Sequence, residues 1–357
     1  MDNRRKQGRR YELGYVLLFS IFGILSGATS YRKIHSFIED KYEVLNEYFE
    51  LGWKKVPAYT TIRNIIQGTS GSELEREFRA YSAELAGKED VIRFVKIDGK
   101  TIRGSFDHFS DKKAVQILSA FVGESRLILA HEEIADKTNE IPVAQELIEA
   151  LGLSGSIFTF DALHCQEKTL EVAKESGNEV IVQVKDNQPT LLEDCKTISQ
   201  TTTPHEVYQE SVTKAHGRLE TRTVSVFVDP QLTHNDKWKF VDAIVVVERH
   251  RELFDTRSKI WKTSDTTAFY ISTTILGAEI FCQAIRGHWD IENGNHYVRD
   301  VALQEDASRI RKNPHIFARL RSFALNILRA NNVHNVTLEL FRNCCNFNYI
   351  LNYQGIA

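Results

Sequence analysis

The chain has 357 residues, with 45 Lys and Arg against 48 Asp and Glu, a formal net charge of −3, and 42% hydrophobic and 26% charged residues. That balance excludes a global field that gathers polyanions, so any nucleic-acid site must be a local patch, and the length suits two domains or one domain with an insertion. Five cysteines, an odd number with no C-x-x-C pair, argue against a disulfide framework and a structural zinc site and point to a reducing, cytoplasmic setting.

Arg4, Arg5, Lys6, Arg9 and Arg10 precede the apolar run Tyr15 to Ala28, which imitates a signal peptide. Ser20, Gly23 and Ser26 interrupt that run, and it is short for a membrane span, so a buried helix with a basic leader is expected. Residues 1–88 read as a helical accessory domain. Tyr15–Leu25 is a core helix, and Tyr31–Phe49 repeats apolar residues at helical spacing. Pro57 stops the connection, and Thr60 or Thr61 would cap a helix through Ile62, Ile65 and Ile66. Arg63 and Asn64 on its exposed face would suit a helix-turn-helix-like reader of DNA ends, and a purely structural subdomain fits equally well. Leu74–Leu85 adds a charged helix.

At Val91 the texture changes. VIRFVKI is a β-branched run ending at Asp98-Gly99, and AVQILSAFVG and RLILAHEEIA complete three strands. A helix at Ile141–Leu151, the strand SIFTF ending at Asp161, a helix at Gln166–Ser176 and the strand EVIVQVK follow. The order β-β-β-α-β-α-β predicts an α/β domain with an RNase H-like mixed sheet flanked by helices, over 89–204 and 276–335. Residues 205–275 carry four further strand-like runs and read as an all-β insertion before the last catalytic helix; 336–357 read as a C-terminal tail. Pro314–Ala330 is an amphipathic helix, with Arg319, Arg321 and Arg329 flanking or opposing its apolar stripe.

Ile285 to Lys312 reads as one charged helix. A 3.6-residue repeat puts His288, Glu292, His296 and Arg299 on one face, which is either a solvated, salt-bridged surface or a site. Two earlier acids favour a site. Asp98 and Asp161 end strands that the fold order places side by side, at the edge where open sheets bind ligands. Each also has a plain reading, Asp98-Gly99 as a turn and Asp161 as a helix cap. Together with a carboxylate-bearing helix they form the oxygen-donor set that two-metal phosphoryl transfer requires.

These residues carry a family resemblance. VKIDGKTIRGS (95–105), ADKTNEIP (135–142), FTFDALHCQ (158–166), VKDNQPTL (184–191), HGRLETR (216–222), RGHWDIEN (286–293) and EDASRIR (305–311) lie in order across roughly 90–330. They resemble bacterial insertion-sequence transposases with a DDE catalytic domain, of the group that includes the H-repeat-associated proteins. The resemblance implies an RNase H-like fold and Asp98, Asp161 and one Glu as both catalytic and metal-binding residues. It also implies two Mg²⁺ (or Mn²⁺) per site and no other small-molecule cofactor. The partners implied are transposon-end and target DNA, with a dimer or larger assembly to synapse two ends and no membrane. A domesticated DNA-binding protein and a metal-dependent nuclease without strand transfer are the alternatives.

Asn295-His296-Tyr297 stands where Leu-His-Trp is common in the group, and Val298-Arg299 replaces an apolar pair before Asp300. The W-x-I-E-N wording favours Glu292 as the third acid. Glu305, about 20 Å further along a continuous helix, is expected with Asp306 to brace Arg309. Candidate DNA contacts are Lys100, Arg103, Lys185, Asn187, Gln188, His216, Arg218, Arg222, His288, His296, Arg299, Arg309, Arg311 and Lys312, the last three forming a basic patch. Trp238 and Trp261 in the insertion could stack on a base, with core packing favoured. Lys137 to Glu140 would brace the site.

Overall fold

The computed structural model describes residues 4, 9–87, 93–105, 114–123, 125–134, 139–215, 218–255, 257–288 and 291–356, and the side chains of all these except 214, 215 and 291–293. The strands are β1 (Arg93–Thr101), β2 (Gln116–Val122), β3 (Ile128–Ile134), β4 (Ser156–Phe160), β5 (Glu179–Val184), β6 (Glu206–Gln209), β7 (Thr213–Ala215), β8 (Arg218–Val228), β9 (Ala243–Asp255) and β10 (Ile260–Ser272). Hydrogen-bonded neighbours run β3-β2-β1-β4-β5-β10-β9-β8-β6, with β7 on β8. The first five strands keep the expected RNase H-like order. β2 and β3 are antiparallel, whereas β1, β4 and β5 are parallel neighbours. The fold is an α/β mixed sheet flanked by helices.

The chain divides into two compact units. One comprises residues 1–90, 99–138 and 292–357, and the other 91–98 and 139–291, with β1 contributing to both. The divide at 90–91 falls two residues from the boundary expected at 88, while 204 and 275 lie inside the second unit.

In the first unit, α1 (Leu13–Leu25), α2 (Tyr31–Asp40), α3 (Tyr42–Tyr48), α4 (Tyr59–Gln67) and α5 (Gly71–Ala86) precede β2 and β3. α1 is the apolar helix after the basic leader. It buries Phe19, Phe22 and Leu25, and no described helix is long and apolar enough to cross a membrane. The expected helix over Tyr31–Phe49 is broken at Lys41 into α2 and α3. Ser30 caps α2 by accepting from the Lys33 N–H, whereas α4 starts after Ala58 without a side-chain cap, so Thr60 and Thr61 lie inside it.

α1, α4, α5 and β3 all pack on the helix Pro314–Ala330 (α11), which has its predicted bounds. Its arginines differ from expectation, because Arg319 and Arg321 lie inside the core rather than on its margin. Arg319 Nε donates to Glu75 Oε2 at 2.7 Å, and Glu75 also accepts from Arg79 and the His131 N–H. The expected tail folds as α12 (Val336–Cys345) and α13 (Asn348–Leu351), and buried Asn343 donates to the Leu25 carbonyl at 3.0 Å.

In the second unit, α6 (Glu140–Leu151) and α7 (Glu167–Glu175) pack on one another, and α7 packs against β5. A helix absent from the expected order, α8 (Pro189–Thr201), follows β5 with Pro at its start. The residues expected as a separate insertion continue the sheet. β10 pairs antiparallel with β5, Phe269 opposite Val184, and β9 and β8 follow. The helix Ala278–His288 (α9) covers this part, with Phe281, Cys282 and Ile285 against Val224, Val245, Val247 and Tyr270. Trp238 is buried, as core packing requires, while Trp261 is half-exposed beside Phe254.

Candidate active site

The parallel register of β1 and β4 runs from Arg93 opposite Ser156 to Lys96 opposite Thr159. Two residues beyond this last pair, at equivalent positions on the two neighbouring segments, stand Asp98 and Asp161. Parallel neighbours lie about 4.8 Å apart. Asp98 lies inside β1, which continues to Thr101, rather than at the strand's end. Asp161 follows β4 directly and accepts from the Leu163 N–H at 3.1 Å, so it also caps the short turn after the strand.

That turn is held from the β5–α8 loop. Asn187 Nδ2 donates to the Ala162 carbonyl at 2.7 Å, and Gln188 Nε2 donates to the Cys165 carbonyl at 2.8 Å. Both amides, expected to meet phosphate or bases, are engaged with backbone next to Asp161. Lys237 Nζ donates to Gln188 Oε1 at 3.1 Å, while Lys185 is exposed. Below Asp161 on the same side of β4, Thr159 Oγ1 meets His288 Nδ1 at 3.0 Å. Burial, with Lys96 and His164 adding to it, pulls His288 down to about 4, so its ring is neutral. Glu140 Oε1 lies 3.2 Å from His164 Nε2, and Asn139 is the cap of α6. Lys137 and Thr138 lie outside the described residues, as does His216.

The long charged helix does not form as expected. α9 ends at His288, Ile291–His296 is a π-helical turn, and α10 (Tyr297–Val301) then stops. A π turn holds more residues per turn than an α-helix, so the 3.6-residue repeat does not run unbroken through Ile291–His296. Glu292 falls in the π turn, and its side chain lies outside the described ones.

Within the first unit, the later acids pair with buried cations. Glu305 is fully buried and accepts from Arg299 Nη2 at 2.9 Å, with Arg321 Nη1 at 3.8 Å. It does not brace Arg309. Arg299, expected to face phosphate, is 1% exposed. Lys100 is likewise buried and donates to both Asp300 oxygens at 2.6 Å, with Asp306 Oδ1 at 3.6 Å. Arg103 is exposed and lies 3.7 Å from the other Asp306 oxygen. His296 is held down at about 3 by burial and by Arg299 and Lys100. Arg309, Arg311 and Lys312 are exposed. The EDASR segment also passes tightly over Gly104, where a Cβ would stand 2.0 Å from the Ser308 carbonyl oxygen. Only glycine fits there.

Among the described residues no three His, Cys, Asp or Glu side chains gather into a metal-binding group. Two hard carboxylates on neighbouring strand segments are nevertheless the donor type that Mg²⁺ or Mn²⁺ takes. Sequence reasoning did not find Asp300 and Asp306 as partners of Lys100. The only signal was their charge, and the pairing spans about 200 residues.

Comparison with known proteins agrees with the sequence words. Residues 1–82 match the model of the DDE_Tnp_1-associated family, and residues 90–328 match that of the transposase DDE domain. YbfL of Escherichia coli K12 is 31% identical over 348 residues, covering 95% of this chain and 90% of its own. The H repeat-associated protein YhhI of the same strain, which carries a transposase name, is 30% identical with the same coverage. A piggyBac transposase synaptic complex with hairpin DNA aligns over 98% of this chain and 76% of that one, at TM-score 0.41 and 10% identity, a likeness too slight to add to the sequence relation. The chain belongs to the DDE-domain transposase family.

Proposed function

We propose that this chain is a DNA transposase that binds the terminal inverted repeats of an insertion sequence, hydrolyses the phosphodiester at each end and joins the 3′-hydroxyls to target DNA. The single observation that supports the reading best is the β1–β4 register, which runs to within two residues of Asp98 and Asp161 inside a chain of the DDE family. Asp98 and Asp161 would hold the divalent cations, with Glu292 completing the set on the strength of its W-x-I-E-N wording. Two bound Mg²⁺ or Mn²⁺ would supply Lewis acidity to an in-line displacement at phosphorus.

The chain's own residues set up the rest. The Leu163 N–H fixes the Asp161 carboxylate, and Asn187 and Gln188 hold the turn that follows it. Neutral His288 leaves the carboxylates without a competing cation from that ring. Lys185, Arg103, Arg309, Arg311 and Lys312 are the exposed cations that would track phosphates. A homodimer would hold two ends together.

The test is divalent-dependent nicking of a duplex bearing the element's repeat end. Asp98→Asn, Asp161→Asn and Glu292→Gln should each lower cleavage by at least a hundredfold while leaving the melting temperature and DNA affinity close to wild type. Cleavage at wild-type rates by either Asp variant would sink the assignment. Binding without cleavage by the wild-type chain would indicate a domesticated binder, and cleavage without joining a nuclease.

A further inference from the structure

Strands β8, β9 and β10 carry one row of side chains whose character changes along its length. Near α9 it is apolar, with Val224, Val226, Val245, Val247 and Ala268. Past the end of that cover, the same face presents Arg218, Glu220 and Arg222 on β8 opposite Leu253, Arg251 and Arg249 on β9. Arg222 and Arg249 are directly opposed, and like charges in that position are destabilising.

Their partners are too few. Glu220 is buried and serves three guanidiniums, accepting from Arg222 Nη2 at 2.6 Å and lying 3.4 Å from Arg251 Nε and 3.6 Å from Arg218 Nε. Arg249 Nε donates to Thr266 Oγ1 at 3.3 Å, and no carboxylate of the described residues is within 4.0 Å of it. Arg286 on α9 pairs with Glu210. Arg222, Arg249 and Arg286, with Gln183, Thr266 and Tyr270, line the polar side of a cleft of about 70 Å³ whose floor is the apolar row continuing from Val224 and Val247. That is room for roughly five water-sized groups, enough for a tetrahedral oxyanion and too little for a nucleoside. Partial burial lowers Arg249's pKa, with Arg251 and Arg222 adding to it and Glu220 opposing them.

We infer that this cleft is a phosphate site that receives one backbone phosphate of DNA, with Arg249 and Arg222 as its principal donors and Arg286 at its rim. The inference rests on the reading that the chain acts on DNA. Guanidinium forks match phosphate oxygens in pairs, and a phosphodiester would give Arg249 the direct anionic partner that Glu220, already bonded to Arg222, does not supply.

The experiment uses the full chain, a labelled duplex followed by fluorescence anisotropy across a NaCl series, and sodium phosphate titrated by calorimetry. Arg249→Gln should weaken duplex binding about tenfold and make the slope of log affinity on log salt shallower by about one. Its melting temperature should stay level or rise, since the opposed Arg222 is relieved. Asp161→Asn should bind with the wild-type slope, which separates a failure of the chemistry from a failure of this site. Unchanged affinity and slope in Arg249→Gln would overturn the inference alone. Tight phosphate binding lost in Arg249→Gln with duplex binding intact would reassign the cleft to free phosphate and overturn it too. A wild-type chain that binds no duplex would remove the DNA reading and the inference with it.

Discussion

Glu305 accepts from Arg299 and lies near Arg321, and all three side chains are almost wholly removed from water. Burial pulls the Arg321 guanidinium down to about 10, a measure of how poorly that interior holds charge. Taking away the shared anion would leave two buried cations facing each other. Glu305→Gln should therefore lower unfolding stability by about 3 kcal/mol, as loss of one partner of a buried pair does, read by urea denaturation. Cleavage per folded molecule should persist. Lost cleavage at full stability would instead make Glu305 the third acid. The sequence pointed Glu305 at Arg309 because side chains four apart meet on a continuous helix. That rule failed because α10 stops at Val301 and Gln304 takes a positive φ of 51°. Arg319 was misplaced because its carboxylate, Glu75, comes from a distant part of the chain, and Arg299 because its partner Glu305 lies past the end of α10, where helical periodicity no longer applies.

At the level of elements, the strands were the legible part. β-branched runs bounded by Asp-Gly and by Asp161 fixed β1 and β4, and their parallel pairing runs to within two residues of both acids. The π turn was not legible, because one extra residue in a helical turn leaves no apolar period to read. α8 was missed because its start, VKDNQPTL, was taken as a motif and its few buried residues, Leu191 and Cys195, make a thin stripe. The same loop yields a testable role. Asn187 touches the carbonyl next to Asp161 rather than any reacting group, so it is a positioning residue. Asn187→Ala should cost only about 1 kcal/mol in stability, one hydrogen bond. The half-maximal Mg²⁺ concentration for cleavage should rise about tenfold, as loss of such supporting contacts does, with duplex affinity unchanged. A Mg²⁺ dependence identical to wild type would confine Asn187 to bracing the loop.

Across the whole molecule, among the described residues, burial lowers the pKa of four histidines, His315 with the more enclosed His131 and His296 in the first unit and His288 in the second. His131 is fully enclosed between Ser119 and Ser322 at 2.9 and 2.7 Å, and burial, aided by Arg299 and Arg319, holds its pKa well below 6.5. His296 is held at about 3 and His288 at about 4, each chiefly by burial. An unfolded histidine takes up its proton near pH 6.5, whereas these refuse it until lower pH. Below 6.5 the unfolded chain therefore binds more protons than the folded one, and stability must fall as pH falls. Above 6.5 neither state is protonated and the term is flat. Each histidine contributes about 1.4 kcal/mol per pH unit between 6.5 and its folded value. Asp255, held low by Lys262, acts only below the ordinary carboxylate range. Asp242 and Asp300, raised by burial, and His250, raised by Asp265 and Glu252, act in the opposite sense, so a comparison of His288→Asn with wild type is what isolates one ring. Urea unfolding at pH 7.0, 6.0 and 5.0 should show a drop that steepens as pH falls, and His288→Asn should remove about one proton from its slope. Stability that holds level or climbs from pH 7 to 5 would show that these rings are solvated and charged in the folded protein. Because His131 and His296 belong to one unit and His288 to the other, a transition that splits on acidification should lose the first unit at the higher pH.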